Sequence, residues 1–175
     1  MRSKLAQRCR KLFEERLAAS LPQFERIKTS KVGPTSRLYG YQVTEGVWFL
    51  IMHQISHQDE HFTVELMTNT DPGVPLLGAF RNPREDPYTI PIRFRFSRMW
   101  SATKSDPWWE LEPAPSGAEI TRRLREMDFS ETPIEELMPK VEPLVDEAFA
   151  KLMEYGVPYF NEVAAKNELN VTRPL

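Results

Sequence analysis

The chain has 175 residues and a mass of 20.4 kDa, with 23 Lys and Arg against 25 Asp and Glu and a formal charge of -2. Hydrophobic residues make up 41% and aromatic residues 11%, which excludes a disordered chain and predicts a single domain over residues 1–175. The single cysteine, Cys9, excludes an intramolecular disulfide and a cysteine-only metal site, and no apolar run has the length of a membrane span, so a cytoplasmic protein is expected.

Proline outnumbers glycine by 15 to 7, the reverse of average usage. So few glycines argue against phosphate-cradling loops, and the sequence contains no G-x-G-x-x-G, P-loop, G-x-S-x-G or H-E-x-x-H motif. Eight of the prolines lie between residues 72 and 115. Residues 71–88 are therefore expected to form a long, stiff surface loop.

The N-terminal segment has the pattern of an amphipathic helix that Pro22 ends. Its apolar stripe consists of Leu5, Cys9, Leu12, Phe13 and Leu17. Cys9 lies on this stripe, which predicts a buried thiol and not a reactive one. Residues 1–37 hold ten Lys and Arg and three Asp and Glu. The basic face either pairs with acidic neighbours in the same molecule, the interpretation we favour, or marks an anionic partner.

From residue 24 to residue 70 the apolar period changes to two, which predicts a meander of antiparallel strands. A strand at 38–43 leads into a tight turn at Glu45-Gly46. The nearly continuous apolar run at 47–55 is typical of a central strand covered on both faces. Residues 62–67 alternate, which predicts a returning strand with one wetter face.

Two further strands are predicted at 90–96 and 108–112, and the last third of the chain is predicted to be helical. Ser116 and Glu119 form a capping box before one helix, whose apolar residues are Ile120, Leu124 and Met127. The predicted fold is therefore α+β, with an antiparallel meander sheet of about five or six strands flanked by an N-terminal helix and C-terminal helices.

A second cap is expected at Thr132, followed by a helix that Pro139 and Pro143 kink or divide. Gly156 is expected to end this helix, and Pro158 to begin a last one.

All three histidines are spaced by four residues and are candidate metal ligands: His53, His57 and His61. On a helix this spacing would stack three imidazoles on one face, but the surrounding apolar pattern favours a hairpin with His57 and His61 beside its turn. With the carboxylates of Asp59, Glu60 or Glu65 they could serve a metal-dependent hydrolase or nuclease. The alternative, which we favour, is an ordinary polar turn.

Arginines and tryptophans interleave in the proline-rich part of the chain, and these residues are the candidate partner-binding set: Arg93, Arg95, Trp100, Trp108 and Trp109. Such a surface could stack bases and hold phosphates. In the alternative, Trp108 or Trp109 covers the core while the arginines pair with nearby carboxylates. The sequence pI of about 6.0 disfavours nucleic acid as the partner.

Three short blocks resemble a bacterial family, the domain-of-unknown-function family 4304. They are Gln54-Ile55-Ser56 between two strands, the stretch Asp106-Pro107-Trp108-Trp109-Glu110-Leu111, and the closing segment from Leu152 to Phe160. The resemblance extends from about residue 5 to residue 165, with 71–88 as a departure. It implies an α+β fold with an antiparallel sheet, and it brings no activity or catalytic residues.

The leading functional hypothesis is a non-enzymatic protein-binding module of bacterial or phage type, without a cofactor. A toxin-neutralising or immunity-like role is its most specific version. The small size, the acidic body, the missing catalytic motifs and the stiff aromatic stretch favour it. Two alternatives remain: the metal-dependent hydrolase described above, and nucleic-acid binding through the basic first helix with Arg93 and Arg95. No membrane partner is expected.

Overall fold

A computed structural model describes residues 1–56, 60–71, 88, 90–100, 108–112, 115–128, 130–171 and 175. Nearly all of the proline-rich loop predicted at 71–88, and His57 with its neighbours Gln58 and Asp59, lie outside the described residues. The described part of the chain has the predicted α+β fold, in which one antiparallel sheet is accompanied by an N-terminal helix and C-terminal helices.

Within the described ranges the sheet contains six strands: β1 Glu25–Ile27, β2 Ser36–Thr44, β3 Val47–Ile55, β4 His61–Asn69, β5 Ile92–Arg95 and β6 Trp109–Glu110. Their order is β1-β2-β3-β4-β5, and β6 pairs with β4. The run of apolar residues in β3 occupies the middle of the sheet, as predicted. Gly46 turns the chain between β2 and β3 with a φ of +74°, a conformation that glycine adopts without steric cost.

The helices are α1 Ser3–Ser20, α2 Gly117–Glu126, α3 Ile134–Lys151 and α4 Val157–Lys166. A short 3-10 turn, Phe96–Met99, follows β5, and a π-helical turn, Leu152–Gly156, joins α3 to α4. Residues 134–166 therefore form one continuous helical segment.

One side of the sheet, the helix face, carries the main core. The apolar side chains of α1, α3 and α4 pack there against the inward residues of β2 to β6. Phe13 of α1 lies 6.0 Å, between ring centroids, from Tyr39 and 5.1 Å from Phe149 of α3. Phe160 of α4 stacks on Phe49 of β3 at 4.6 Å. Burial of this stripe is what orders α1, since helical propensity alone stabilises a helix only weakly.

The opposite side, the second face, carries a smaller apolar cluster of Leu38, Leu50, Met52 and Met67. These residues alternate with the helix-face residues along β2, β3 and β4, as the pleat of a strand requires. The prediction that β4 has one wetter face is wrong, because Thr63 and Glu65 on the second face are fully buried.

Three predictions about the C-terminal helices are corrected by the structure. Thr132 does not cap α3, because its hydroxyl donates to a carboxylate oxygen of Glu112 and Pro133 occupies the cap position. Of the two outcomes expected at Pro139 and Pro143, a division of the helix does not occur, because α3 is continuous through both prolines, which lie on its exposed side. Gly156 does not end the helical segment. A Cβ at this position would lie 2.7 Å from Leu152 Cδ1, so glycine allows the π-helical turn to pack closely.

Candidate partner-binding site

The structure divides the predicted partner-binding residues between the two faces of the sheet. Trp109 is buried in the main core, where it stacks on Phe62 at 5.4 Å between ring centroids. Trp100 packs against the same core, 4.6 Å from Phe96. Their aromatic rings contribute to folding and are not presented together to a partner. Arg93, Arg95 and Trp108 come together elsewhere.

Arg93 and Arg95 lie on the second face of β5, opposite a carboxylate of β4 that the sequence analysis had not assigned to them. Arg93 donates to Glu65 Oε2 from Nε at 2.8 Å, and its Nη2 lies 2.7 Å from the same oxygen. Arg95 Nε lies 4.0 Å from Glu65 Oε1. Glu65 is 0% exposed, so this carboxylate is taken out of water and compensated by two guanidinium groups.

Trp108 extends this group of side chains toward the first residue of β4, His61. The guanidinium of Arg95 lies over the Trp108 ring, 4.7 Å from its centroid, and His61 lies 4.4 Å from the same ring. A cation over an indole face is stabilised electrostatically, most strongly where water is excluded. We call Glu65, Arg93, Arg95 and Trp108 the arginine cluster. Its partly buried arginines and fully buried carboxylate give it the character of an internal ion network and not of an open docking surface.

The structure separates the histidines that the sequence spacing had grouped. His53 pairs with Val64 on the helix face, whereas His61 lies on the second face, and His57 is outside the described residues. Glu60 is held by Arg2, whose Nε donates to Oε1 at 2.7 Å. Among the described residues no group of three or more His, Cys, Asp or Glu side chains is arranged to hold a metal ion.

His53 instead forms a buried pair with Cys9. Its ring stacks on Phe13 with centroids 4.4 Å apart, and its Nε2 lies 3.6 Å from Cys9 Sγ. Burial lowers the pKa of His53 to about 3, helped by the positive charges of Arg10 and Arg37. Burial also raises the pKa of the Cys9 thiol to about 12. Both groups are therefore neutral near pH 7, and the buried thiol expected from the sequence is confirmed.

The basic face of α1 pairs with acidic side chains of α3, which confirms the interpretation that the sequence analysis favoured. Arg8 Nη2 lies 3.1 Å from Glu142 Oε2. Arg16 reaches Glu142 at 3.0 Å and Asp146 at 2.7 Å. These ion pairs join two helices of one molecule, and they neutralise part of the charge excess of residues 1–37.

An apolar surface that is not among the candidate sites of the sequence lies on α2. Ile120 is 46% exposed, Leu124 60% and Met127, at the C-cap, 79%. The three residues are spaced by four and three, so they form one stripe along the helix. No residue of α2 is buried. We call these three residues the α2 stripe.

α2 is nevertheless well formed at both ends. Ser116 Oγ accepts from the backbone N–H of Glu119 at 3.2 Å, which confirms the predicted N-cap. Met127 takes a left-handed conformation at the C-cap with a φ of 50°, and its N–H bonds to the carbonyls of Arg123 and Leu124. Glu119 also pairs with Arg122 at 2.7 Å. These local interactions support the helix, although its three large apolar side chains stay exposed.

The fold and this surface define an α+β protein with an antiparallel sheet and an exposed amphipathic helix. No family model, curated protein or solved structure matches the chain. The resemblance to the domain-of-unknown-function family 4304 therefore stays a prediction. None of the described helices combines the length and the apolar character that crossing a bilayer requires.

Proposed function

We propose that the chain is a non-enzymatic protein-binding module and that the α2 stripe is its contact surface. The observation that carries this proposal is the exposure of Ile120, Leu124 and Met127 on a helix without a buried residue. Large apolar side chains that lie together in water at one face are typical of an interaction site. Spacings of four and three are those by which an amphipathic helix inserts into the groove of a partner protein.

The energetic gain available at this surface is large enough for recognition. Full burial of a Leu, Ile or Met side chain contributes roughly 1.5–3 kcal/mol. When this value is multiplied by the exposed fractions of Ile120, Leu124 and Met127, burial of the α2 stripe in a partner groove would contribute roughly 3–6 kcal/mol. A few anchors of this size commonly dominate a protein interface.

The caps of α2 reduce the cost of binding. An isolated helix of ten residues is marginal in water, and ordering it at an interface would consume binding energy. The cap at Ser116, the closure at Met127 and the ion pairs of Glu119 hold the helix in place beforehand. α2 is thus preorganised to present its apolar stripe.

The test compares a variant of α2 that should lose the partner protein with a variant that should keep it. Leu124→Gln with Met127→Gln removes most of the stripe, while glutamine keeps a helix propensity close to that of leucine and methionine. Ala118→Gln, an exposed position outside the stripe, is the matched control. In an affinity capture from the native lysate, we expect the wild type and Ala118→Gln to retain the same protein and the double variant to lose it, with equal melting temperatures for all three.

Two results would contradict the proposal. One is equal capture by the double variant, which would place the contact surface elsewhere. The other is a dimer of this chain, detected by sedimentation and lost in the double variant, which would assign the stripe to a second copy. A toxin-neutralising or immunity-like role is the finer form of the proposal, and it requires that the captured protein be toxic and that binding suppress its toxicity.

A further inference from the structure

A second recognition feature lies on the helix face, where α1 packs over the first part of β2. Arg37 and His53 are cross-strand partners on β2 and β3, so their side chains lie on the same face of the sheet. His53 contacts α1, with its Nε2 3.6 Å from Cys9 Sγ. Burial lowers the pKa of His53, and the charges of Arg10 and Arg37 lower it further, so both guanidinium groups lie near this ring. Two cations from different elements therefore meet beside the main core.

Arg10 differs from Arg8 and Arg16 of the same helix, which pair with carboxylates of α3. Its side chain is half-buried, and its Nε is buried without a hydrogen-bond partner in the part of the chain that the structure describes. A buried donor that lacks an acceptor destabilises the fold. Burial lowers the pKa of Arg10, and the charge of Arg37 lowers it further, whereas the opposing effect of Glu14 is smaller. Arg10 thus has a positive charge and a hydrogen-bond donor that remain unsatisfied.

Glu14, one helical turn after Arg10, interacts mainly with other groups. Its Oε1 accepts from the hydroxyl of Tyr39 at 3.1 Å and lies 3.9 Å from Arg26 Nη1. Three arginines, Arg10, Arg26 and Arg37, therefore share one carboxylate, and the four side chains together carry two positive charges in excess. An anion would be attracted to this part of the surface.

Arg37 is held in place by neutral groups. Its Nη1 donates to the carbonyl oxygens of Pro34 at 3.2 Å and Ser36 at 3.0 Å, and these bonds leave the positive charge uncompensated. The opposite edge of the guanidinium, formed by Nε and Nη2, takes no part in them. This edge is a planar fork that matches two oxygen atoms of an oxyanion, and an anchored side chain loses less conformational entropy when it binds.

We propose that Arg10 and Arg37 together bind a phosphate group, either as inorganic phosphate or as the phosphate of a small monoester. A phosphate near pH 7 carries between one and two negative charges and at least three acceptor oxygens, so two guanidinium groups can donate to it at once. A carboxylate has two oxygens, which one arginine fork already uses. Bound phosphate would give Arg10 Nε its acceptor and would reduce the repulsion between the two arginines.

The pairing of the other α1 arginines limits the size of this site. Arg8 and Arg16 are engaged by Glu142 and Asp146 of α3, so the uncompensated charge is confined to the side of α1 that faces β2. An extended nucleic acid needs a longer track of cations along its backbone. The arrangement therefore favours a single phosphate group.

The test is a titration of the full chain with inorganic phosphate, followed by heteronuclear NMR of backbone amides and arginine Nε–H groups, with sodium chloride holding the ionic strength constant. We expect the Nε–H signal of Arg10, identified by its loss in Arg10→Gln, to shift saturably together with the amide of Arg37. Acetate should bind at least about tenfold more weakly than phosphate. Equal affinities for phenyl phosphate and inorganic phosphate would assign the site to the free ion, and tighter binding of phenyl phosphate would assign it to a monoester.

Arg10→Gln is expected to weaken phosphate binding about tenfold or more, measured on the amide of Arg37. Without phosphate its melting temperature should equal or exceed that of the wild type, because the substitution removes a repelled cation. Arg125→Gln removes the same charge from an exposed position on α2 and is the matched control, for which unchanged affinity is expected.

Three results would overturn the proposal. Equal weakening by Arg10→Gln and Arg125→Gln would show a response to net charge alone. A second is the absence of any saturable shift up to about 20 mM phosphate. The third is binding of a single-stranded oligonucleotide that is tighter than that of phosphate and steeply salt-dependent, which would indicate a nucleic-acid surface in place of a site for one phosphate.

Discussion

Mild acid should destabilise the fold through His53. An unfolded imidazole has a pKa near 6.5, whereas burial together with Arg10 and Arg37 lowers the pKa of His53 to about 3. Between these two values the unfolded chain binds a proton that the folded chain excludes. The free energy of unfolding is therefore unaffected by His53 above pH 6.5 and decreases as the pH falls below it. The limiting slope is about 1.4 kcal/mol per pH unit, so this residue should account for a loss of about 2 kcal/mol between about pH 7 and pH 5.

Urea unfolding followed by tryptophan fluorescence at several pH values in this range measures the loss. His53→Leu cannot bind the proton, so its free energy of unfolding should fall less steeply with acid than that of the wild type, whatever its value at pH 7. His61→Gln is the matched control because His61 is only partly buried, and the slope due to His53 should persist in it. An equal slope in the wild type and His53→Leu would refute the burial of a neutral imidazole under α1.

Three further predictions concern stability and reactivity. Glu65→Gln should lower the free energy of unfolding by about 3–5 kcal/mol, because two arginines lose their buried carboxylate. A loss below about 1 kcal/mol in denaturant unfolding would contradict this prediction. Glu147→Gln, at an exposed position of α3, is the control and should cause no measurable change. The Cys9 thiol should react with a disulfide reagent at about pH 8 only after urea is added, and rapid labelling of the folded chain would show that the thiol is accessible. Gly46→Ala should cost about 1–2 kcal/mol because its φ of +74° disfavours a Cβ, and a rise in the melting temperature would contradict that reason.

The meander was predictable because each of its strands and turns is specified by residues that are close together in the chain. Alternation over β2, the apolar run of β3 and the turn at Gly46 each specify a conformation within a few residues. Burial on the second face was not predictable in this way. Glu65 alternates with apolar residues in the sequence, so its side chain is expected to be exposed to solvent. In the structure its buried charge is balanced by Arg93, which belongs to another strand and lies 28 positions later in the chain. The alternation of residues within β4 gives no information about a partner in another strand.

The candidate site was even harder to predict, because it also depends on which residues from elsewhere in the chain cover a helix. The sequence predicted that Ile120, Leu124 and Met127 share one face of a capped helix, and the structure confirms this arrangement. A periodic pattern states which side chains lie together and not what covers them. Most amphipathic helices cover a core, so the pattern alone does not mark this helix as a candidate site. Conversely, the tryptophans that suggested a contact surface are divided, since Trp100 and Trp109 pack on the core.

Hydrogen exchange of the α2 amides tests the central claim most directly, because it reports whether the rest of the chain covers this helix. In the free protein we predict that amides of residues 121–126 exchange far faster than those of β3, since only local hydrogen bonds and caps protect them. In the complex with the captured partner, the same amides should become slow while those of β3 stay unchanged. Slow exchange of α2 in the free protein, close to that of β3, would show that its apolar stripe is already covered and would contradict the proposed contact surface.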